Sequence, residues 1–296
     1  MAIGYLDRLE AEAIQILRDG VAEAERPVLL FSGGKDSTVL ADLAVRAFHP
    51  APPPLPLLHV DSTWEFQDVL AFRDRFAAEH GFRLVTYRNR EGEARGLNPI
   101  HHGDIYTTVM RTDALKQALD DGQHDVIFGG ARRDEEATRA KERIVSVRGV
   151  GHVWDPKTQR PEPWANFNWR RSPEQSLRVY PLSNWTEHDL WTYILKRRLP
   201  LCPLYFSALR PVVERQGHLV VVDDPECATA LGFSKPEMRP VRFRSLGCWP
   251  VTAADPSTAD TLDAVVAETF ATERSERAGR VSDSGSLEAQ KRDGYF

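Results

Sequence analysis

The stretch that decides the fold is Pro27-Val-Leu-Leu-Phe31 followed at once by Ser32-Gly-Gly-Lys-Asp-Ser37. Its first five residues have the length of a short buried strand, and a helical pattern follows from about residue 36 to residue 48. Glycines between a strand and a helix let backbone N–H groups point into one concavity, and the helix N-terminus adds partial positive charge. Lys35 and the two serine hydroxyls add further donors. The stretch therefore predicts an anion-binding loop over residues 32–37.

This loop is not a Walker A loop, because that pattern needs Gly at position 29 and Ser or Thr at position 36, where the chain has Leu29 and Asp36. It resembles the pyrophosphate loop of enzymes that cleave ATP between the α and β phosphates. A carboxylate beside phosphates is repulsive unless a cation intervenes, so Asp36 predicts a Mg²⁺ ion shared by nucleotide and protein. The predicted nucleotide ligands of the loop are Ser32, Gly33, Gly34, Lys35, Asp36 and Ser37.

Strand-sized and helix-sized segments alternate along the chain. Predicted strands at residues 57–61, 83–87, 125–129 and 178–182 alternate with predicted helices at residues 65–80, 107–121 and 186–198. This alternation favours βαβ units, and hence an α/β fold with a doubly wound, mostly parallel sheet. Residues 145–173 show no period and are rich in aromatic residues, which predicts a long functional loop. Within it, Trp154 is the best candidate for touching a substrate or a partner.

We expect two parts in the chain. Residues 1–215 are predicted to form the nucleotide-binding α/β domain. Residues 216–296 are predicted to form a C-terminal extension that contacts a partner and is partly flexible, with one helix at residues 261–276.

Composition excludes several classes of protein. The 296 residues carry a net charge of −5 with a pI near 6.0, so a global basic field for nucleic acid is absent. No apolar run approaches the ~18 residues of a membrane span. The three cysteines are more than twenty positions apart and form neither a zinc spacing nor a disulfide framework. We therefore expect a cytoplasmic protein with no nucleic-acid and no membrane partner.

Further candidate ligands stand at the ends of the second and fourth predicted strands. Ligands of an open α/β sheet bind outside the carboxyl ends of its strands. His59 and Asp61 end the second strand, so Asp61 either points toward ribose or metal or, on the alternative interpretation, caps the following helix. Gly129 and Gly130 end the fourth strand and complete the predicted nucleotide site.

An arginine-rich stretch continues from that strand to residue 143. If its acidic residues open a helix, Arg139 and Arg143 share one face at i,i+4, where like charges repel. A bound dianion offsets this repulsion, because guanidinium groups fit tetrahedral oxyanions bidentately. The alternative is a solvated, salt-bridged helix face. The candidate catalytic residues are Lys35, Arg132, Arg133, Arg139 and Arg143.

Motifs along almost the whole chain are similar to those of a known family. They are SGGKDS at 32–37, HVD at 59–61, GLNP at 96–99, GGARRDEE at 129–136, RAKER at 139–143, WDPK-x-QRPE at 154–162, PLSNWTE-x-DLW at 181–191, RFRSLGCWP at 242–250, SERAGR at 275–280 and KRDGYF at 291–296. Together and in this order they resemble the small, catalytic subunit of the bacterial two-subunit sulfate adenylyltransferase, or ATP sulfurylase.

The resemblance implies a fold of the adenine-nucleotide α-hydrolase type. It also implies the reaction of ATP with sulfate to adenosine 5′-phosphosulfate and pyrophosphate, and a larger GTPase partner whose GTP hydrolysis drives it. Whether that partner is also fused to a kinase for the product stays open. By this analogy residues 32–37 hold the β,γ-pyrophosphate, while the arginine stretch and residues 154–162 surround the α-phosphate and the sulfate.

Two alternative functions stay open, one of them because of a departure from the family pattern. The family usually reads HVDTG after the second strand, whereas Thr63 stands here in place of the glycine and adds bulk beside the expected adenosine pocket. Because of this residue, a regulatory, non-catalytic nucleotide-binding subunit stays an alternative function for the chain. The other alternative, a sulfonucleotide reductase, needs a nucleophilic cysteine in an ECG-x-H motif, but the chain offers Glu226-Cys227-Ala228-Thr229.

Overall fold

The computed structural model describes residues 4–135, 137–215, 217–233 and 235–272. Ten strands are labelled in chain order. They are β1 (Pro27–Leu30), β2 (Leu57–Val60), β3 (Leu84–Tyr87), β4 (Val126–Phe128), β5 (Val145–Arg148), β6 (Ser176–Val179), β7 (Ala208–Arg215), β8 (His218–Val221), β9 (Glu237–Arg242) and β10 (Asp255–Pro256).

Nine α-helices are described within the same residues. They are α1 (Tyr5–Ala22), α2 (Lys35–Phe48), α3 (Gln67–Glu79), α4 (Arg90–Ala94), α5 (Gly103–Thr107), α6 (Ala114–Asp121), α7 (Glu187–Arg197), α8 (Pro225–Ala230) and α9 (Leu262–Phe270). No helix in the described ranges is both long and apolar enough to cross a membrane.

The first six strands form one sheet in the order β3-β2-β1-β4-β6-β5. Neighbouring strands are parallel except β5, which runs antiparallel to β6. The chain order reverses between β1 and β4, the place where open α/β sheets bind ligands. The predicted doubly wound, mostly parallel sheet is confirmed.

The two faces of this sheet are covered by different helices. Leu29, Leu57 and Phe128 belong to the larger core, together with apolar residues of α1, α2, α3 and α7. Because successive strand residues point to opposite faces, Val28 and Ile127 face the other way and pack with Leu119 of α6. The carboxyl ends of β1 and β4 are left open to a cavity between these layers.

The predicted loop at residues 145–173 is wrong at its beginning. Residues 145–148 form β5, paired with β6 from Val145 opposite Val179 to Arg148 opposite Ser176. The strand predicted at 178–182 is β6, which begins at Ser176 and ends at Val179. It does not continue to residue 182 because Pro181 lacks the N–H that a continuing ladder needs.

The helix predicted at residues 107–121 is longer and irregular. It begins with α5, passes through a π-helical segment at Thr108–Asp113 and continues as α6. A π-helix closes i→i+5 hydrogen bonds, so this segment holds more residues per turn than the α-helix on either side. Arg111 and Thr112 of the segment line the cavity.

A second, antiparallel sheet in the order β10-β9-β7-β8 follows α7. It begins at Ala208, on the N-terminal side of the boundary predicted at residue 215. Val212 and Val241 of this sheet share one hydrophobic core with the first sheet. The division into two domains stays a prediction.

The predicted helix at 261–276 is α9, which begins after Thr261 and ends at Phe270. The Thr261 side chain accepts a hydrogen bond from the Ala264 amide at 3.3 Å and so caps the helix. The terminal motifs at 275–280 and 291–296, and the flexible tail predicted for the extension, lie outside the described residues.

Candidate active site

The anion-binding loop connects β1 directly to α2 and is held in shape by its own hydroxyl groups. Ser37 Oγ donates to the Gly34 carbonyl at 2.9 Å, and Ser32 Oγ accepts from the Gly34 amide at 3.3 Å. Gly33 has φ = +75°, and a Cβ there would lie 3.0 Å from Val69 Cγ1, so only glycine fits this turn. The loop is therefore preformed before any ligand binds.

The start of α2 is fixed by a tyrosine that the sequence did not single out. The backbone N–H of Lys35 donates to the hydroxyl of Tyr205 at 2.8 Å. Tyr205 is fully buried and lines the cavity. It is 170 positions away in the chain, so no local pattern connects it to the loop.

Asp36 stands between two cations rather than alone beside the expected phosphates. Its Oδ1 accepts from Arg132 Nε at 2.7 Å, and its Oδ2 contacts Lys35 Nζ at 3.1 Å. Burial opposes ionisation, but the charges of Lys35 and Arg132 outweigh it and hold the pKa of the Asp36 carboxyl well below its usual range. The repulsion that led us to expect a metal ion is thus already offset by protein cations.

Gly129 and Gly130 bring the end of β4 against the start of α2. A Cβ on Gly130 would lie 3.0 Å from the backbone carbonyl carbon of Asp36, and a Cβ on Gly129 would lie 3.3 Å from the Tyr180 ring. Both glycines line the cavity. The two predicted glycines therefore lie at the cavity. Any side chain at position 130 would push β4 and α2 apart.

His59, a predicted nucleotide ligand, lines the cavity and is a neutral acceptor. Its Nδ1 lies 2.9 Å from the Phe31 carbonyl, which can only accept, so Nδ1 carries the proton and Nε2 has the lone pair. Burial lowers the pKa of His59 to about 4. Among the described residues Nε2 has no hydrogen-bond partner.

Asp61 does not cap the following helix, and its role toward ribose or metal stays a prediction. Its Oδ1 accepts from the Thr63 amide at 2.8 Å, and its Oδ2 pairs with Arg88 at 2.6 Å. Burial raises the pKa of Asp61, but the hydrogen bonds from Arg88 and Thr63 outweigh it and lower the pKa overall. Asp61 does not line the cavity, and α3 is capped instead by Asp223, which accepts from the Gln67 amide at 2.9 Å.

The arginine stretch is divided by the structure. No long helix forms: a 3₁₀ helix at Ala137–Lys141 ends before Arg143, and the chain then enters β5. Only Arg139 of the four predicted arginines lines the cavity. Arg132 lies behind Asp36, and Arg133 donates to Asn184 Oδ1 at 2.5 Å and to the Glu142 carbonyl.

A cavity of about 420 Å³ connects all these elements. Part of its lining is apolar: Leu30, Leu58 and Leu115 belong to one hydrophobic cluster, and Val60 lines the cavity too. The lining also carries more positive than negative charge, because six lysine and arginine side chains stand against the carboxylates of Asp36, Glu65 and Glu135. The six are Lys35, Arg111, Lys116, Arg139, Arg148 and Arg178, of which the sequence motifs indicated only Lys35 and Arg139. Such a lining fits a molecule that has an apolar ring system and several negative charges.

Residues 154–162 do not reach the cavity, contrary to expectation. Trp154 is 7% exposed, and the guanidinium of Arg148 lies 6.0 Å from its ring centroid. Glu162 accepts from the amides of Ile144 and Val145, and Gln159 from the amide of Val147. These side chains cover the outer edge of β5, which would otherwise present unpaired N–H groups.

Comparison with known proteins shows the family to which the chain belongs. A family profile described as "Phosphoadenosine phosphosulfate reductase domain" matches residues 26–254. The chain is 54% identical to sulfate adenylyltransferase subunit 2 of Methylorubrum populi, over 99% of this chain and 96% of that protein. The chain belongs to the sulfate adenylyltransferase subunit 2 family. Its relative of that name in Geobacter metallireducens is 53% identical over 99% of this chain and 98% of that protein.

The fold of the family is also found in a distant solved structure. FMN adenylyltransferase of Candida glabrata, in complex with FMN and the ATP analog AMPCPP, superposes with a TM-score of 0.50 at 14% identity, covering 96% of this chain and 91% of that chain. At this identity the likeness shows the fold alone.

Neither Cys202 nor Cys227 has the lowered pKa of a nucleophilic cysteine. Burial raises the pKa of Cys202 to about 12, and burial together with the neighbouring Asp224 raises that of Cys227. A nucleophilic cysteine needs a lowered pKa. Cys248 is buried, with Sγ 3.4 Å from Ser62 Oγ.

Proposed function

We propose that the chain is the catalytic subunit of a sulfate adenylyltransferase, forming adenosine 5′-phosphosulfate and pyrophosphate from ATP and sulfate. The observation that carries the proposal is that the phosphate loop and the buried side chains of Arg148 and Arg178 line one cavity. Membership of the sulfate adenylyltransferase subunit 2 family supports the same reaction.

The proposed reaction needs positioning and charge stabilisation rather than a general base. A sulfate oxygen attacks the α-phosphorus, the new O–P bond forms, and the bond to the bridging α,β oxygen breaks with its electron pair on pyrophosphate. Sulfate is already a dianion at neutral pH, so no proton is removed. The protein must hold two anions in line and stabilise the leaving group.

The proposed roles follow the positions of the side chains. The loop residues Ser32, Gly33, Gly34, Lys35 and Ser37 hold the β,γ-pyrophosphate at the start of α2, where the helix N-terminus favours anions. The apolar part of the lining, around Leu58, takes adenine, and His59 Nε2 accepts a hydrogen bond from the adenosine. Arg139 contacts phosphate oxygens directly.

Arg132 acts as a positioning residue. Its guanidinium is buried and fixes the Asp36 carboxylate, which in turn contacts Lys35. Arg133 and Arg143 do not line the cavity, so we assign them no contact with the reacting atoms.

Asp36 also fits the Mg²⁺ that ATP brings. Mg²⁺ keeps several waters and usually takes only one or two carboxylates besides the phosphates. The Asp36 side chain is 26% exposed at the cavity, while the described residues contain no cluster of three His, Cys, Asp or Glu side chains for a metal. The bound ion would neutralise part of the charge on the leaving pyrophosphate.

We further propose a larger GTPase partner subunit, whose GTP hydrolysis drives the unfavourable adenylyl transfer, and a cytoplasmic location. The designation "subunit 2" of the relatives supports a partner. The three free cysteines, Cys202, Cys227 and Cys248, support a reducing compartment.

The test assays adenosine 5′-phosphosulfate directly, with ATP, Mg²⁺ and sulfate, in the presence and absence of the partner and GTP. We expect sulfate-dependent product that rises with the partner. Lys35→Met keeps the volume of the side chain, removes its charge and should abolish product, whereas Lys196→Met on the surface of α7 should not. A Lys35→Met chain that still supports full partner activity and product would favour the regulatory alternative.

A further inference from the structure

Two arginines lie on an inner face of the sheet where apolar residues are the rule. Along β5, Val145 and Val147 belong to the larger core, so the alternating Arg148 points to the opposite face. Arg178 of β6 pairs in register with Ile127 of β4, and Ile127 belongs to the cluster beneath α6. Arg148 and Arg178 therefore share the face that α6 covers.

Among the described residues, one carboxylate, that of Glu142, acts on both arginines of this pair. Arg178 is only 8% exposed, and within the described ranges its Nε has no hydrogen-bond partner. The Glu142 carboxylate, the acidic group acting on Arg178, is ion-paired with Arg148. Burial and the charge of Arg148 lower the pKa of Arg178 to about 10, so it is still a cation at neutral pH. An uncompensated buried charge is unfavourable and calls for a counter-ion.

This charge is accessible to a ligand, because Arg148, Arg178 and Tyr180 line the same cavity as the phosphate loop. The Tyr180 hydroxyl lies 3.3 Å from Arg148 Nη2. In the sheet, β4 separates β6 from β1, so Arg178 is two strand spacings, roughly 10 Å, from the strand that carries the loop. The two anion sites are therefore separate parts of the lining of one cavity.

We propose that Arg148 and Arg178 form the subsite for the second substrate, the sulfate dianion, and thereby determine specificity for a small tetrahedral oxyanion. This inference rests on the proposed function for the identity of the anion. Pyrophosphate leaves toward α2, and an in-line displacement needs the attacking oxygen on the opposite side of the α-phosphorus. The arginine pair lies on β5 and β6, with β4 between it and the strand that carries the loop, so it can hold the attacking sulfate apart from the leaving pyrophosphate. Two guanidinium groups suit a doubly charged tetrahedral anion.

The first test measures binding and needs no turnover. The full chain, saturated with a non-hydrolysable ATP analogue, is heated in increasing sodium sulfate against sodium chloride of equal ionic strength. Sulfate should raise the Tm of the wild type and leave the Tm of Arg178→Met unchanged. In chloride alone, Arg178→Met should be as stable as the wild type or more stable, because it removes an unpaired buried charge. A merely structural arginine would instead lower the Tm when replaced.

The second test measures kinetics of the chain with its partner and GTP. Arg178→Met should raise the KM for sulfate about 10- to 100-fold, the range for losing hydrogen bonds to a charged group. The KM for ATP should change by no more than about twofold, because the contacts that bind the nucleotide are unchanged. Arg178→Lys keeps the positive charge but not the forked guanidinium. Its KM for sulfate should lie between that of the wild type and that of Arg178→Met. Arg171→Met is the matched control, because Arg171 pairs with Asp125 away from the cavity.

The outcomes separate this inference from the proposed function. If Arg178→Met raises the KM for ATP and leaves the KM for sulfate unchanged, the sulfate subsite is overturned. The arginine pair would then bind the nucleotide phosphates. Arg178→Met and Arg178→Lys chains that both retain the sulfate-dependent Tm shift would overturn it too. If the wild type makes no product, the proposed function fails, and the Tm shift and its loss in Arg178→Met still report whether the pair binds sulfate.

Discussion

At the scale of single residues, Thr63 stands where its family usually has glycine, and its backbone conformation is one that favours glycine. Its φ is +70°, in the left-handed region, where a β-branched side chain is strained. The turn is kept by the hydrogen bond from its amide to Asp61 Oδ1. The Thr63 side chain is exposed and is not part of the cavity lining. The threonine therefore stores strain in the turn without filling the adenosine pocket.

We predict that Thr63→Gly stabilises the chain by about 1 kcal/mol, because the relief of left-handed strain exceeds the added entropy of the unfolded glycine. Urea unfolding measures the free energy, and the KM for ATP should stay within about twofold. Thr192→Gly in the regular helix α7 is the control and should lose stability. A Thr63→Gly chain that is destabilised to the same extent would contradict the assignment of strain.

A second prediction at this scale concerns Asp36 and pH. Because its folded-state pKa is lowered, Asp36 contributes stability that is fully present above its ordinary pKa of 3.8 and is lost as the pH falls further. Asp36→Asn removes this contribution and leaves Arg132 with a weaker partner. The difference in unfolding free energy between wild type and Asp36→Asn should therefore be larger at about pH 6 than at about pH 3. An equal difference at both pH values would show that the ion pair contributes nothing.

At the scale of elements, the contact between β4 and α2 depends on Gly130. We predict that Gly130→Ala costs about 1–3 kcal/mol and weakens nucleotide binding, because its Cβ would lie 3.0 Å from the Asp36 backbone. Calorimetric titration with an ATP analogue and urea unfolding check the two effects. Gly149→Ala is the control, since its Cβ would be 3.9 Å from the nearest atom, the Val153 carbonyl oxygen, and should bind as the wild type does. If Gly130→Ala binds the ATP analogue as tightly as the wild type, β4 and α2 can move apart at this contact without loss of the site.

The covered edge of β5 leads to another prediction. Glu162→Ala removes the acceptor of two backbone N–H groups, those of Ile144 and Val145. We expect a loss of about 1–3 kcal/mol in unfolding free energy and faster amide exchange at Val145. Glu174→Ala, an exposed glutamate just before β6, should change neither quantity. Slow exchange at Val145 in the Glu162→Ala chain would mean that water or another group replaces the carboxylate.

The same elements show what the sequence allowed and what it did not. The strand–loop–helix at residues 27–48 is a local pattern, and its prediction is confirmed almost to the residue. β5 was missed because its pairing with β6 and the cover from Gln159 and Glu162 are long-range. The cap of α3 comes from Asp223, 156 positions away from Gln67, so the local candidate Asp61 was the wrong choice.

The candidate site was predictable to a similar degree. Lys35, His59 and Arg139 stand where motifs place them, next to the cavity. Arg148 and Arg178 were missed because an arginine within a strand normally indicates an exposed face. Only the register of β4, β6 and β5 shows that Arg178 lies beside Ile127 in the interior.

At the scale of the whole molecule, the two sheets unfold together if they share one core. Arg242 of β9 is 1% exposed and pairs with Glu268 of α9 at 2.6 Å. Glu268 also accepts from Ser257 Oγ at 2.5 Å. We predict that Glu268→Gln lowers the unfolding free energy of the whole chain by about 2 kcal/mol, because a buried guanidinium loses its charged partner.

The measurement follows this unfolding by tryptophan fluorescence and by far-UV circular dichroism. Coincident transitions that shift together in Glu268→Gln would show one cooperative unit. Two transitions, of which only one shifts, would favour the division near residue 215. Arg198→Gln, at the surface pair with Asp263, is the control and should have little effect.

The π-helical segment between α5 and α6 has a consequence for insertions and deletions. In an α-helix each residue turns the chain by about 100°, and the i→i+5 hydrogen bonds of a π-helix spread each turn over more residues. Removing one residue from Thr108–Asp113 would therefore restore regular α winding with little rotation of α5 relative to α6. Tyr106 and Thr107 would keep their places beside the cavity, whereas Arg111 and Thr112 of the segment itself would change theirs. A gene with a one-codon deletion here should encode a well-folded chain in which only the segment's own contacts with a ligand are altered.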